Sequence, residues 1–241
     1  MNIVLFEHDE IDRRLPLADE RARHIIGVLR RSPGDTFDAG IIDGLRGKGT
    51  LIGEHADGLE IEFECGEEEP PLPPIDLVVG LSRPQTNRKI LQEATALGVR
   101  SMSFVTTERG EPSYAESRLW STGEWRRHLI AGAAQAFTTR LPSVAFGIGL
   151  KESIAASIAD ASGETSRVVL DNYESPRSLA TSLNNPTEVL VAVGAERGWT
   201  ADERDLFREL GFGFAHLGTR PLRTETAVIA AIAIVHASME A

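Results

Sequence analysis

Glu188-Val-Leu-Val-Ala-Val193, followed directly by Gly194-Ala-Glu-Arg-Gly-Trp199, is the stretch that decides the fold of this chain. The apolar run from Val189 to Val193 is typical of a strand that is buried on both faces. Thr200 and Glu203 have the spacing of a capping box, which predicts a helix that begins there and ends at Gly211. The stretch therefore predicts a strand, a glycine-containing loop and a helix.

A second unit of the same kind follows. It consists of Phe214-Ala-His-Leu-Gly218, the loop Thr219-Arg-Pro-Leu-Arg-Thr-Glu-Thr-Ala227 and a helix predicted from about Thr226 to Ser238. This helix is apolar almost all round, which predicts burial in the core or against a partner subunit. We expect the two glycine-containing loops to leave the carboxyl ends of adjacent strands, where open α/β sheets bind ligands.

The preceding part of the chain also alternates between strands and helices. Strands are predicted at 75–81, 99–105 and 167–170. One helix is predicted to end at Gly98, and another to span 125–136. This alternation predicts a mostly parallel α/β sheet that is covered by helices.

The N-terminal third has a different pattern. A strand at 3–6 and a helix at 17–31 are predicted first, and residues 35–65 then form short runs that indicate a small β-barrel or curled sheet. The proline-rich segment 66–74 is typical of a stiff linker. We therefore predict two domains, 1–69 and 74–241. Three dipeptides between the short runs are typical of hairpin turns, because glycine accepts positive φ: Asp43-Gly44, Lys48-Gly49 and Asp57-Gly58.

The composition limits the class of protein. The chain has 241 residues, one cysteine and six histidines. A single cysteine excludes an internal disulfide, and the histidines lack ligand spacing, so we predict no metal. No apolar run approaches the roughly 20 residues needed to span a bilayer, and no export signal is visible. We expect a cytoplasmic protein with no membrane partner.

The charge is unevenly distributed along the chain. The formal net charge is −11, but residues 36–74 carry 2 basic and 10 acidic side chains, whereas residues 80–142 carry 9 basic and 5 acidic. The distribution leaves two readings open. The first is RNA binding by a basic face, and the second is an acidic enzyme with a small substrate.

The common cofactor signatures are absent. The chain has neither Gly-x-Gly-x-x-Gly nor Gly-x4-Gly-Lys-Ser/Thr, which removes the strongest evidence for NAD or ATP. Gly-x-Ser-x-Gly, which would indicate a hydrolase, is also absent. The remaining Gly-x-x-x-Gly from Gly194 to Gly198 is by itself equally compatible with a simple turn.

The C-terminal motifs resemble those of a known family, the RsmE uridine-N3 methyltransferases of small-subunit (16S) ribosomal RNA, in the SPOUT superfamily. The family pattern is Gly-Pro-Glu-Gly-Gly-Phe, then Leu-Gly, then Leu-Arg-x-Glu-Thr-Ala. The chain has Gly194-Ala-Glu-Arg-Gly-Trp199, Leu217-Gly218 and Leu222-Arg-Thr-Glu-Thr-Ala227. Further matches extend the resemblance over nearly the whole chain: His24-Ile-Ile-Gly-Val-Leu-Arg30 with Gly34-Asp35, Ala94-Thr-Ala-Leu-Gly-Val99, Thr107-Glu-Arg109, and Gln135 with Arg140-Leu-Pro142.

The resemblance implies a fold, a cofactor and partners. It implies an N-terminal PUA-like β-barrel and a C-terminal SPOUT methyltransferase domain, an α/β domain whose chain end forms a trefoil knot. It further implies S-adenosyl-L-methionine bound at the knot, ribosomal RNA of the small subunit as substrate, and a homodimer. The expected activity is methyl transfer to N3 of a uridine in 16S ribosomal RNA.

The resemblance also suggests roles for individual residues. We expect Arg223 to stabilise negative charge on the uridine carbonyl oxygens, and Glu196 to bind the cofactor ribose or accept the N3 proton. The predicted RNA-binding residues are Arg23, Arg30, Arg140 and Arg197. The predicted cofactor-binding residues are Val193, Gly194, Ala195, Glu196, Gly198, Leu217, Gly218, Leu222, Thr224 and Ala227.

Simpler alternatives stay open for these residues. Arg223 pairing with Glu225 or Glu196 would only shape the loop. Thr224 and Thr226 are equally compatible with helix caps, and the arginines with solvated side chains.

Departures from the family pattern keep alternative functions open. Ala195 and Arg197 replace a proline and a glycine of the cofactor loop, and Phe137-Thr138 replaces a Gly-Arg pair. One alternative is a divergent SPOUT-fold enzyme that acts on another RNA. The other is an RNA-binding protein of this fold without catalytic activity.

Overall fold

The chain forms two compact units. The computed structural model describes residues 2–159 and 164–239. The first unit comprises Met1–Pro71 and Ile130–Leu141, and the second comprises Leu72–Leu129 and Pro142–Ala241. The sequence pattern placed one boundary at the linker, whereas the first unit also takes in residues 130–141. In the described ranges, no helix is long and apolar enough to cross a membrane.

The first unit contains a four-stranded sheet in the order β1-β2-β3-β4. Strands β1 and β2 are parallel, and the other two pairs are antiparallel. The turns predicted at Asp43-Gly44 and Asp57-Gly58 connect β2 to β3 and β3 to β4, so those two predictions are confirmed. The strands are β1 Val4–Phe6, β2 Thr36–Ile41, β3 Arg46–His55 and β4 Gly58–Glu67.

The turn predicted at Lys48-Gly49 was wrong, because both residues lie inside β3. Gly49 is paired with Phe37 on one side and with Phe63 on the other. A Cβ at Gly49 would come within 2.6 Å of the Phe37 ring. The glycine is therefore needed for the close approach of an aromatic side chain and not for a reversal of the chain.

The helix predicted at 17–31 is shorter and less regular than the pattern indicated. It begins after Asp19, whose carboxylate accepts the Arg21 N–H at 2.8 Å, and forms α1, Glu20–Arg23. The chain then continues as a π-helix, His24–Val28. Arg21 also binds Glu10, at 2.7 Å, and this hydrogen bond lowers the pKa of the Glu10 carboxyl.

Residues 130–141 pack closely within the first unit. Ile3, Leu5 and Ala133 form one apolar cluster. The Thr139 hydroxyl donates to the Gly44 carbonyl at 2.7 Å, and a Cβ at Gly40 would lie 2.5 Å from the Thr139 methyl. This segment is therefore part of the core of the first unit.

The second unit is built on a seven-stranded sheet in the order β7-β6-β5-β10-β8-β11-β9. All of its strand pairs are parallel, which confirms the predicted class of sheet. Strands β5 and β10 are buried at every position, as their apolar runs predicted. The strands are β5 Ile75–Gly80, β6 Ser101–Thr106, β7 Ser143–Gly149, β8 Thr165–Leu170, β9 Arg177–Ser178, β10 Glu188–Val193 and β11 Gly213–His216.

Two expectations about this sheet are corrected. Strands β10 and β11 are not adjacent, because β8 lies between them and pairs with both. The edge strand β7 was not predicted at all, and neither was the short β9. Neighbouring positions in β7 are mostly exposed or half-buried, so its sequence lacks the continuous apolar run of a central strand.

Helices flank the strands of the second unit. The capping box of Thr200 and Glu203 is present, and Gly211 follows the helix end with φ +76°, so both predictions are confirmed. The last helix begins at Thr224, slightly earlier than expected, and packs against α2, α6 and β10. The helices are α2 Pro84–Leu97, α3 Arg118–Ser121, α4 Glu124–Ala136, α5 Leu150–Ala159, α6 Leu179–Ser182, α7 Ala201–Glu209 and α8 Thr224–Met239; the C-terminal half of α4 belongs to the first unit.

An ion-pair network holds the amino ends of the central strands together. Arg100 binds the buried carboxylates of Asp76 and Glu188. Thr165 donates to Glu188 at 3.0 Å, and Ser101 donates to Asp76 at 2.5 Å. The hydrogen bond that Arg100 donates to Asp76 raises the pKa of Arg100. Polar side chains thus connect the strands at their amino ends, whereas a cavity lies at their carboxyl ends.

Candidate functional site

A cavity of about 1320 Å³ lies at the carboxyl ends of the central strands. Its walls come mainly from three loops of the second unit, which follow β8, β10 and β11. Arg83 and Arg109, from the loops after β5 and β6, and Thr86, from the first turn of α2, complete the lining. This is the edge of an open parallel sheet where ligands generally bind.

The cavity brings together the residues that the C-terminal motifs predicted. All ten predicted cofactor-binding residues line it, and so do Arg223 and Arg197. Arg23, Arg30 and Arg140, the other predicted RNA-binding residues, belong to the first unit.

The loop after β10 is held close to the sheet by two glycines. Ala195 and Gly198 close a turn, in which the Gly198 N–H donates to the Ala195 carbonyl at 2.9 Å and Gly198 has φ +63°. At the end of β5, a Cβ on Gly80 would lie 2.4 Å from the Ala195 nitrogen. The loop therefore takes this position only because Gly80 has no side chain.

Replacing Gly80 by alanine is expected to push the loop away from β5 and to weaken cofactor binding by about tenfold or more, since such overpacking typically costs about 1–3 kcal/mol. Isothermal titration with S-adenosylmethionine measures the affinity. Gly149→Ala is the matched control, because a Cβ there meets nothing within 4 Å. An unchanged affinity in Gly80→Ala would show that the loop does not need this contact.

Glu196 and Trp199 fix the two ends of the same loop. One carboxylate oxygen of Glu196 accepts the Arg83 N–H at 3.1 Å, next to the start of α2. Trp199 is only 1% exposed, and its indole N–H donates to the Leu170 carbonyl at 3.1 Å. Trp199 thus connects the loop after β10 to the end of β8.

The loop after β8 is organised by Asp171, which is buried. Its Oδ1 accepts the N–H groups of Tyr173 and Glu174 at 2.8 and 2.7 Å. Its Oδ2 accepts the Arg204 Nε–H at 2.8 Å, in an ion pair whose side chains are 10% and 2% exposed. The sequence reasoning did not predict this loop as part of the site.

The loop after β11 leads into α8. The Gly218 N–H donates to Nδ1 of His216 at 3.0 Å, and Gly218 has φ +120°. Arg223 precedes the helix, because its carbonyl accepts the Ala227 N–H at 2.9 Å. Thr224 and Thr226 therefore lie inside the first turn, and neither occupies the capping position.

The side-chain pairings proposed for Arg223 are not found in the described part of the chain. Glu225 instead lies 3.5 Å from the Lys89 ammonium, and Glu196 accepts a backbone N–H. Arg223 is exposed and lines the cavity. Its guanidinium is thus available to a ligand.

Five arginines surround this cavity, and we call them the arginine rim: Arg83, Arg109, Arg197, Arg220 and Arg223. All five are exposed, and within residues 2–159 and 164–239 none of them forms an ion pair with a carboxylate. Arg109 instead donates to the Arg197 carbonyl at 3.4 Å. A chain of net charge −11 therefore concentrates positive charge at one opening.

The predicted RNA-binding arginines of the first unit have different environments. Arg23 and Arg30 are exposed, and Arg30 has φ +54°. Arg140 donates to the carbonyls of Asp43 and Glu69 at 3.1 and 3.0 Å. Arg140 therefore has an evident structural role in anchoring residues 130–141.

Several residues of the cavity were not singled out from the sequence. Asp171 to Tyr173 directly follow a predicted strand. They could have been predicted, because open α/β sheets bind ligands at the carboxyl ends of their strands. Arg83 and Arg109 also follow predicted strands, and Arg109 lies in the matched motif Thr107-Glu-Arg109, but neither was predicted to bind a ligand. Among the described residues, no group of three or more histidine, cysteine, aspartate or glutamate side chains could hold a metal ion.

Comparison with known proteins gives matches over the whole chain. Residues 68–236 match the family described as RNA methyltransferase domain. A protein of Treponema pallidum named ribosomal RNA small subunit methyltransferase E is 36% identical over 247 residues, which covers 100% of this chain and 92% of the relative. The chain belongs to the RsmE family of RNA methyltransferases.

Other RsmE proteins and solved structures agree with this assignment. A relative from Borreliella burgdorferi, ribosomal RNA small subunit methyltransferase E 1, is 32% identical across 96% of this chain and 95% of its own length. The crystal structure of ribosomal RNA small subunit methyltransferase E from Neisseria gonorrhoeae, bound to S-adenosyl methionine, has a TM-score of 0.77 and 26% identity. The match covers 98% of this chain and 97% of the Neisseria gonorrhoeae chain.

Proposed function

We propose that this chain is an S-adenosylmethionine-dependent methyltransferase that methylates N3 of a uridine in 16S ribosomal RNA. The observation that carries the proposal is the cavity at the carboxyl ends of β8, β10 and β11, which all ten predicted cofactor residues line. Membership of the RsmE family and the cofactor bound to the Neisseria gonorrhoeae relative support it.

The residues present fit such a cofactor. Because Gly80 and Gly194 have no Cβ, the loop after β10 can lie against β5 and turn tightly on itself, and this loop lines the cavity. Val193, Leu217 and Leu222 supply apolar surface for an adenine ring. The cavity of about 1320 Å³ exceeds the roughly 300–1,000 Å³ of an ordinary small-molecule pocket, which leaves room for a nucleotide.

The proposed chemistry assigns different tasks to Arg223 and Glu196. The cofactor supplies an electrophilic methyl group, and the uridine N3 becomes nucleophilic when it loses its proton. The negative charge then spreads to the flanking carbonyl oxygens, where the Arg223 guanidinium stabilises it. Glu196 accepts one backbone N–H at 3.1 Å, and a carboxylate has further acceptor capacity for a ribose hydroxyl or for the N3 proton.

The arginine rim supports RNA as the substrate. Phosphate contacts by arginine dominate the affinity of proteins for nucleic acid and make it depend on salt. The rim places five guanidinium groups, none in an ion pair within the described ranges, around the opening through which a nucleotide would enter. We include Arg197 here, and we propose that Arg23 and Arg30 add phosphate contacts on the first unit.

Replacing Arg197 by glutamine is expected to lower the slope of log affinity against log salt by about 0.7, the value for one contact to a single-stranded phosphate. Fluorescence anisotropy with labelled RNA at several salt concentrations measures the slope. Arg118→Gln is the matched control, since this exposed arginine does not line the cavity. Equal slopes for wild type and Arg197→Gln would support the alternative of a solvated side chain.

Methyl transfer from tritiated cofactor to unmodified small ribosomal subunits tests the proposed activity. Mass spectrometry of digested RNA then locates the methyl group, and we expect it on N3 of a uridine in 16S ribosomal RNA. Transfer to another RNA would instead support the divergent enzyme. Salt-sensitive RNA retention without any transfer would support the RNA-binding protein.

We further propose that the chain end forms a trefoil knot, that the first unit is a PUA-like barrel, and that the protein is a homodimer. The position of β10 between β5 and β8, although it follows β8 in the chain, supports a threaded C-terminus. The four-stranded, mostly antiparallel sheet of the first unit supports the barrel. Helix α8 buries only part of its apolar surface, and exposed Ala233 and Ala237 leave a face for a second subunit; light scattering after gel filtration tests the dimer.

A further inference from the structure

We propose that Tyr173 is a stacking platform for the acceptor base of the RNA substrate, a proposal that rests on the proposed function of the cavity. Tyr173 lines the cavity, yet 82% of the residue is exposed. An exposed aromatic ring at the opening of a site offers a face on which an unpaired base can stack.

The backbone of Tyr173 is fixed by a buried carboxylate. Asp171 accepts the N–H groups of Tyr173 and Glu174, so the loop cannot rotate without breaking two hydrogen bonds. Asp171 is itself held by Arg204 in an ion pair that is almost fully buried. The two N–H groups on Asp171 help to offset the cost of burying this pair. The evident consequence of the pair is a rigid support for the exposed ring.

The Arg204 guanidinium also lies 5.3 Å from the centre of the Tyr173 ring, which is the geometry of a cation–π contact. The contact lies on one face of the ring and orients it, while 82% of the residue stays exposed. A base that stacks on the remaining face would complete a layered arrangement of guanidinium, ring and base. Preorganisation of this kind lowers the entropy cost of binding.

The substrate base suits this position better than the cofactor. The apolar residues predicted for the cofactor lie at the end of β10 and on the loops after β10 and β11. Tyr173 lies on the loop after β8 and is largely exposed to solvent. A base displaced from RNA enters from solvent and gains most from a large exposed ring.

Replacing Tyr173 by alanine is expected to weaken RNA binding about 5- to 100-fold, the value of one base–aromatic stack. Tyr173→Phe keeps the ring and should retain affinity within about twofold. Anisotropy with a labelled short oligouridylate measures binding, and methyl transfer to small subunits measures the RNA KM and kcat. Because Tyr173 is exposed, neither variant should lose its fold.

Two further readouts separate stacking from other roles. Stacking releases no counterions, so Tyr173→Ala should leave the salt slope unchanged, whereas Arg197→Gln lowers it. Titration with S-adenosylmethionine should give the same Kd for Tyr173→Ala and wild type. A raised Kd for S-adenosylmethionine with unchanged RNA affinity would assign the ring to the cofactor. If Tyr173→Ala changed neither the cofactor Kd nor the RNA affinity, the proposal would also be overturned.

Failure of the proposed function gives a different result. If the wild-type protein transfers no methyl group, the activity is rejected, but the oligouridylate measurement still tests Tyr173. If the wild-type protein is active and Tyr173→Ala binds RNA normally, only the stacking proposal fails.

Discussion

Replacing Arg223 by alanine is expected to slow methyl transfer by about 100- to 1000-fold, the usual effect of removing one donor that stabilises a developing oxyanion. The exposed guanidinium lines the cavity and has no carboxylate partner in the described ranges. Because the bound uridine is neutral until N3 loses its proton, Arg223 stabilises charge that is absent from the substrate as it binds, so the loss should appear in kcat, with little change in KM. Single-turnover transfer of tritiated methyl to small ribosomal subunits measures the rate.

Two controls accompany the Arg223 measurement. Cofactor affinity, measured by titration, should stay within a few-fold of wild type, because the proposed cofactor contacts rest on other residues. Arg223→Lys keeps the charge but loses the planar two-donor geometry, so we expect an intermediate rate. A kcat within a few-fold of wild type in Arg223→Ala would reject a catalytic role.

Replacing Asp171 by alanine is expected to lower the free energy of unfolding by about 3–5 kcal/mol, because Arg204 would remain as a buried charge without its main partner. The side chains of this pair are 2% and 10% exposed, so solvent screens them little. The N–H groups of Tyr173 and Glu174 would also lose their acceptor. Urea unfolding followed by tryptophan fluorescence reports on the second unit, which contains all three tryptophans.

A double-mutant cycle separates the ion pair from the other effects. Arg204→Met removes the partner charge and keeps an apolar stem. In the double variant we expect a loss smaller than the sum of the single losses, since neither charge is then left alone in the interior. Strictly additive losses, or a loss below about 1 kcal/mol in Asp171→Ala, would contradict the role of the pair.

Local signals in the sequence predicted the centre of the second unit well. The apolar runs of β5 and β10 match strands that are buried at every position. The capping box at Thr200 and Glu203 and the glycine end at Gly211 are local hydrogen-bonding patterns, and both are present. Such features depend on neighbouring residues alone, so one sequence is enough to predict them.

Features that depend on distant residues were not predicted. The order of strands follows from pairing across the sheet, and no local pattern indicated that β8 separates β10 from β11. Gly49 looked like a turn residue, but its contact with Phe37 comes from the neighbouring strand. The π-helix at His24–Val28 likewise has no periodicity that distinguishes it from an ordinary helix.

The candidate site shows the same division. Gly194 to Gly198 and Gly218 to Ala227 were predicted because each loop contains a motif and follows a strand, and they line the cavity. Asp171 and Tyr173 belong to a loop with neither glycine nor motif. Their contribution depends on Arg204, 33 residues further along the chain, and on burial that only the folded structure provides.

The first unit is assembled from two separate segments of the chain, and this affects folding during synthesis. Residues 130–141 supply part of its apolar core, although they are separated from Pro71 by a long segment of the second unit. During synthesis the core of the first unit can therefore be completed only after Leu141 has left the ribosome. At roughly 5–20 residues per second, the delay after Pro71 is about 4 to 14 seconds. For that time Ile3 and Leu5 lack their partners in residues 130–141, and a nascent chain that stalls before residue 130 leaves these apolar side chains uncovered.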